Sequence, residues 1–188
     1  MRLRLRASIT LFRSVLTCSV QCLKERDFVI KGIHHIAIGV PDMAAGLAFY
    51  TQAFGFEVLQ KQTIVNAPLA DQAIGLHGVD ADMAMLKTAN CFIELWQYRL
   101  PVGSDTTSRP CDLGFPHFAV EVEDIDSEYQ RLMACGMQFV GEPVNFGDAS
   151  AVYGQDPFGN TIEIYEIRNP EKPRLRTHQR LEQDEALT

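Results

Sequence analysis

The chain has 188 residues with a formal charge of −7, of which 46% are apolar and 22% charged. That size holds one ordinary domain or two small modules sharing a core, and the apolar share excludes disorder for most of it. The acidic balance argues against a nucleic-acid surface, whose affinity rests on Lys and Arg neutralising phosphates, so a small molecule is the expected partner.

Residues 1–24 carry four Arg and one Lys without an acid, and Arg2, Arg6 and Arg13 fall opposite Leu5, Ile9, Phe12 and Leu16 on a helical wheel. That composition resembles a mitochondrial transit peptide. The alternative is that translation begins later, near Val29, just before the first strand. Residues 1–29 are therefore read as an extension, and the compartment as cytoplasmic or, with a transit peptide, the mitochondrial matrix. No run of eighteen apolar residues occurs, so no membrane-spanning helix is expected. The five cysteines (Cys18, Cys22, Cys91, Cys111, Cys135) are odd in number and lack a C-x-x-C spacing, which fits a reducing compartment and no thiolate zinc site.

The domain is expected over residues 30–168. "HIAIGV" from His35 alternates as a strand, and Asp42 stands where a helix begins. Met43, Leu47, Tyr50 and Phe54 then recur three or four apart, and Gly55 closes the helix. "FEVLQ" reads as a further strand, "APLADQAIGLHG" (67–78) as a short helix or flap, and "FIELW" (92–96) as another alternating strand.

The pattern then recurs. "HFAVEV" from His117 aligns with "HIAIGV" as H-x-A-[IV]-x-V, followed by Asp124 and a helix marked by Ile125, Tyr129, Leu132 and Met133, then Gly136. "MQFVG" is the next extended piece, and "TIEIY" (161–165) ends the copy as "FIELW" ends the first, after a "DPFGN" turn. Module one therefore spans 31–98 and module two 115–167, with a linker at 99–114. From Asn169 the chain is Pro-punctuated and polar, and residues 169–188 read as a tail outside the core. Neither copy can bury both its helix and its sheet face alone, so the two are expected to pair.

In a strand the same face recurs every second residue. His35, Ala37 and Gly39 share one face, as do His117, Ala119 and Glu121, and both faces lie opposite the branched residues that pack on the helix. Glu94 and Glu163 likewise point opposite to their Ile and Leu neighbours. A glutamate facing an interior needs a charged partner to offset its desolvation. Four ligand-capable side chains, His35, Glu94, His117 and Glu163, thus occupy equivalent places, and an approximate twofold would gather them in one cup. Two imidazoles and two carboxylates suit one divalent ion of zinc, nickel, cobalt, manganese or iron. The cup is compatible with assembly within one chain or across two. His34 reads as structural, His77 as part of the flap and His178 as part of the tail. Cys111 and Cys135 read as inert. Trp96 and Tyr98 flank Glu94 and read as core or cavity wall.

The paired H-x-A-[IV]-x-V-x-D strands, Phe49–Tyr50, "IELW" and "DPFGNTIEIYE" resemble the vicinal oxygen chelate superfamily over residues 31–167. The resemblance implies an α+β fold, with paired βαβββ modules in a curved mixed sheet around a divalent metal. It places the metal ligands at His35, Glu94, His117 and Glu163, a set similar to that of bacterial glyoxalase I. It also implies a homodimer, which the exposed edges of a half-open sheet favour as well. The expected function is a metal-dependent lyase or isomerase that stabilises an enolate or enediolate, with Glu163 as base and Glu94 as its counterpart. The alternatives are an extradiol ring-cleaving dioxygenase or a ligand-binding resistance protein. The loop "YRLPVGSDTTSRPCDLGFP" (98–116) is expected to be a solvated linker or a lid bringing Arg99 or Arg109 toward an acidic substrate group.

Overall fold

The computed structural model describes residues 30–104 and 109–174, and the readings made for residues 1–29, for 105–108 and for His178 lie outside that set. Module one runs β1 (His35–Gly39), α1 (Met43–Phe54), β2 (Glu57–Val65), α2 (Pro68–Ile74), β3 (Asp80–Lys87) and β4 (Phe92–Leu100). Module two runs β5 (Phe118–Glu121), α3 (Ile125–Ala134), β6 (Gln138–Phe139), β7 (Val144–Asn145), β8 (Ala149–Gln155) and β9 (Thr161–Ile167). The sheet orders are β1-β4-β3-β2 and β5-β9-β8-β6, with β7 also on β8. In both sheets the first strand lies parallel to the last and the remaining pairs are antiparallel. This is the α+β class and the paired-module plan expected from the repeat. One difference is that the extended piece read at 137–141 keeps only the two-residue β6, and a second short strand, β7, follows it. Pro143 intervenes, and it has no N–H to give to a ladder.

The Asp residues act as read. Asp42 accepts from the Ala45 amide at 2.9 Å and Asp124 from the Ser127 amide at 3.3 Å, each satisfying a first-turn N–H. Gly55, at φ 66°, ends α1 in the left-handed region, where its amide reaches the Thr51 carbonyl. Met133 is 40% exposed, so the inner face of α3 rests on Ile125, Tyr129 and Leu132. A straight helix drifts the i+8 position away from a narrow seam.

One continuous core joins the modules. Ile38, Phe49, Tyr50, Leu86, Ile93 and Leu95 from the first meet Ile125, Leu132, Val152, Ile162 and Ile164 from the second. Both modules therefore bury their helix-bearing faces against each other, which turns the His-bearing faces away from the shared core. Polar ties cross this junction as well. Tyr50 Oη donates to Asp156 Oδ2 at 2.6 Å, Asn160 Nδ2 donates to the Gly39 carbonyl at 3.1 Å, and Arg131 Nη2 donates to the Ala53 carbonyl at 2.7 Å. Asp156 is only 2% exposed and also accepts from the Phe158 amide and from both nitrogens of Asn160. Burial and the neighbouring Asp156 charge push the Tyr50 phenol well above its ordinary range, so it stays a donor.

A second, smaller cluster covers the other face of module one. There α2 and its flanks bring Ala67, Ala70 and Leu76 onto Ile64, Val79, Ala81, Met83, Trp96 and Tyr98. Asp71 holds the following turn by accepting from the Gly78 and Val79 amides. The first residues of the tail run back along module two, where Asn169 and Lys172 both engage Asp148. No helix of the described residues is long and apolar enough to cross a membrane.

Replacing Tyr50 by Phe removes one of the two donors to the buried Asp156 Oδ2 and leaves only Asn160 Nδ2. The expected loss is about 1–3 kcal/mol of unfolding free energy, read as a lower urea midpoint at unchanged slope.

Candidate functional site

The parallel pairing of first and last strands sets the site. Ala37 lies in register with Glu94, and Ala119 with Glu163, so each carboxylate faces a methyl group and the preceding His has room to lean over it. His35 Nε2 stands 3.5 Å from Glu94 Oε2, and His117 Nε2 stands 3.3 Å from Glu163 Oε2. Gly39, further along the same face of β1, has open space where a Cβ would sit. The carboxylates are the more buried partners, at 12% and 17% side-chain exposure against 41% and 26% for the imidazoles. Among the described residues neither glutamate has a Lys or Arg counter-ion.

The four side chains form two pairs, one per module. Among the described residues no group of three or more His, Cys, Asp or Glu side chains converges within the chain. The back-to-back core accounts for this, because it points the two cups in different directions. β1 and β5 each sit at the edge of their sheet. Between the modules lies an open cleft of about 1360 Å³, which borders Ile36, Phe56, Phe115, His117 and Val120.

The surroundings of the pairs differ. In module one, Trp96 Nε1 donates to Glu94 Oε2 at 3.0 Å, and His34 Nδ1 lies 2.9 Å from His35 Nδ1. His34 thus does more than pack on Phe92, because it meets the ring nitrogen of His35 that faces away from the carboxylate. In module two, the Tyr153 hydroxyl lies 3.3 Å from His117 Nε2, while His117 Nδ1 is buried without a partner. Tyr153 stands in register with Glu163, where the first module has Met85 opposite Glu94. Burial, with the Glu163 charge added, pushes the Tyr153 phenol up and keeps its proton. The supporting roles of His34 and Tyr153 went unread in the sequence. The period-two alternation of β8 puts Tyr153 on the cup face, and comparison with Met85 would have singled it out.

Trp96 and Tyr98 stack with ring centroids 5.3 Å apart and form an aromatic wall beside Glu94. The arginines expected to reach a substrate do otherwise. Arg99 lies within β4, on the opposite face from Glu94, and binds Asp80 at 2.6 Å and Asp82 at 2.5 Å. Hydrogen bonds from Arg99 and Thr63 hold the Asp82 carboxyl below its usual range. Arg109 is engaged by Asp112 at 2.8 Å. His77 is exposed in the turn after α2, Cys111 is exposed and Cys135 half-buried.

The profile of the Glyoxalase/Bleomycin resistance protein/Dioxygenase superfamily matches residues 32–164. The chain belongs to this superfamily. It is similar to a 2-epi-5-epi-valiolone epimerase of Actinomyces sp., with 29% identity over 72% of this chain and 79% of that protein. It is also similar to a lactoylglutathione lyase of Arabidopsis thaliana, with 27% identity over 69% of this chain, and spans only 42% of that enzyme's length. Its fold matches that of a glyoxalase family protein from Bacillus cereus with a TM-score of 0.67, covering 77% of this chain and 97% of that one at 23% identity.

The donor set fits a metal of the kind this superfamily suggests. Metal bonds of about 2.0–2.2 Å place neighbouring donor atoms about 3.0–3.4 Å apart, close to the spacing within each pair. Arg99→Gln is expected to leave divalent-ion affinity unchanged in isothermal titration calorimetry. Ala119→Leu, which crowds the cup beside Glu163, is expected to weaken it by about tenfold or more.

Proposed function

We propose that the chain is a divalent-metal-dependent lyase or isomerase of the glyoxalase I and epimerase type, acting on a small carbonyl or thioester substrate with an acidic neighbouring carbon. The observation that carries this reading is the duplicated His–Glu pair. Two half-buried carboxylates, each without a Lys or Arg partner among the described residues, face an imidazole nitrogen at repeat-equivalent positions. Carboxylates drawn this far out of water without a counter-ion favour a cation that offsets their desolvation. His35, Glu94, His117 and Glu163 would hold the ion, with the two carboxylates balancing its charge. The ion's chemistry is Lewis-acid stabilisation of an enolate or enediolate oxygen.

The site is complete only when two copies meet. Each chain has spent its helix faces on its own core and leaves two half-cups, each beside an edge strand, β1 in one sheet and β5 in the other. A twofold arrangement that sets β1 of one copy against β5 of the other covers both edges and forms two equal sites. Each site then takes His35 and Glu94 from one chain and His117 and Glu163 from the other. Glu163 removes the proton from the carbon beside the carbonyl and returns it, either to the neighbouring carbon or to the opposite face. The stacked wall of Trp96 and Tyr98 excludes water from that side of the cup. The relatives named as an epimerase and a lactoylglutathione lyase are in keeping with this reaction class.

Mixing tests the shared site. Neither His35→Ala nor His117→Ala homodimers contain an intact cup, whereas each heterodimer contains one. Co-refolding the two variants should therefore restore about a quarter of wild-type metal content and turnover, given random pairing. No restoration would show that the cup lies within one chain. Glu163→Gln should slow exchange of the substrate's acidic proton with deuterated solvent by about 10²–10⁴-fold while keeping most of the metal. NMR of cyclic ketones, hemithioacetals and acyl thioesters reads this directly, and undiminished exchange would remove Glu163 from the role.

A further inference from the structure

The two half-sites share a backbone plan but treat their carboxylates differently. In module one the indole N–H of Trp96 donates to Glu94 Oε2, the same oxygen that faces His35. Trp96 is itself held in place. It lies two residues along β4 from Glu94, on the same face, in register with Met83, stacked on Tyr98, and packed into the cluster beneath α2. In module two the residue at the corresponding position is Tyr165, and its hydroxyl makes no bond to Glu163. There the Tyr153 hydroxyl lies instead against the imidazole of His117, at 3.3 Å from Nε2. Among the described residues the Glu163 carboxylate meets only His117.

Resting on the metal site proposed above, we infer that Trp96 is a positioning residue that clamps Glu94 as a standing metal ligand, so that the unclamped Glu163 is the carboxylate free to swing and carry the proton. The physical reason is geometric. A donor packed on three sides fixes both the position and the rotation of the carboxylate it bonds, and outer bonds of this kind raise metal affinity. A carboxylate without such a donor can exchange partners during turnover at little energetic loss. Near-symmetric halves thus acquire unequal roles through one N–H, although the sequence repeat alone leaves Glu94 and Glu163 interchangeable.

Trp96 is the single tryptophan of the chain, so its indole can be observed directly. In ¹⁵N-labelled full-length protein the lone indole N–H signal should move on titration with Zn²⁺ and saturate at one ion per chain. Glu94→Gln should shift that signal in the metal-free protein, and Glu163→Gln should leave it where it is. Trp96→Phe keeps the stacked ring but removes the N–H, and should weaken Co²⁺ binding by about 10- to 100-fold. An indole signal unmoved by bound Zn²⁺, or a folded Trp96→Phe protein binding Co²⁺ as tightly as wild type, would overturn the clamp while leaving the metal site standing. Failure of the wild-type protein to bind any of these ions would overturn both. The indole measurement needs no substitution at Trp96, so it decides the matter even if that variant does not fold.

Discussion

The arrangement depends on a register: in each module the first strand runs parallel to the last, with an alanine opposite a glutamate. In this register the strand heads lie side by side, with His35 beside Phe92 and Phe118 beside Ile162, so a His at the strand head and a Glu in the third place of its partner lie on one face. Because successive side chains alternate, a one-residue slip would bury both polar groups in the core and expose Ile and Val instead. The apolar faces exclude that slip. Ile38, Ile93, Leu95, Ile162 and Ile164 are almost fully buried and leave their strands one register.

The same faces decide how the modules meet. Each carries a helix on its branched face, and the two helix sides close on one another around Tyr50 and Asp156. Four donors on one buried carboxylate tie the first helix to the turn between β8 and β9, which converts two stacked modules into one body. The consequence for function is directional. A pair of modules joined through their helix sides carries its His–Glu pairs outward, one per module. The function proposed above needs a second copy to bring a pair from each module together.

Within that frame the halves diverge through side chains rather than backbone. His34 braces the far nitrogen of His35, Trp96 holds Glu94, and Tyr153 reaches His117, so module one supports both of its members and module two supports only its imidazole. Duplication explains why four ligand-capable residues exist. Divergence of their supports allows two chemically identical carboxylates to behave differently. The arginines illustrate the converse, because Arg99 faces away from the cup and is bound by two aspartates of a neighbouring strand.

The sequence by itself determined the repeat, the strand faces and the identity of the four candidate side chains, because period-two alternation, Asp at helix starts and glycine at helix ends are local signals. It also marked Tyr50 and the "DPFGN" turn as features of the pattern, without showing that the two are bonded to each other. The break between β6 and β7 was not read from the sequence, although Pro143, which lacks a backbone donor, lies at it. Tertiary structure alone decided that His35 and Glu94 lie apart from His117 and Glu163 within a chain, that Arg99 is spoken for, and that Trp96 bonds Glu94. Each of these depends on how whole faces pack across the module junction or between strands distant in sequence. Local periodicity tells which way a side chain points, but only packing tells what it meets.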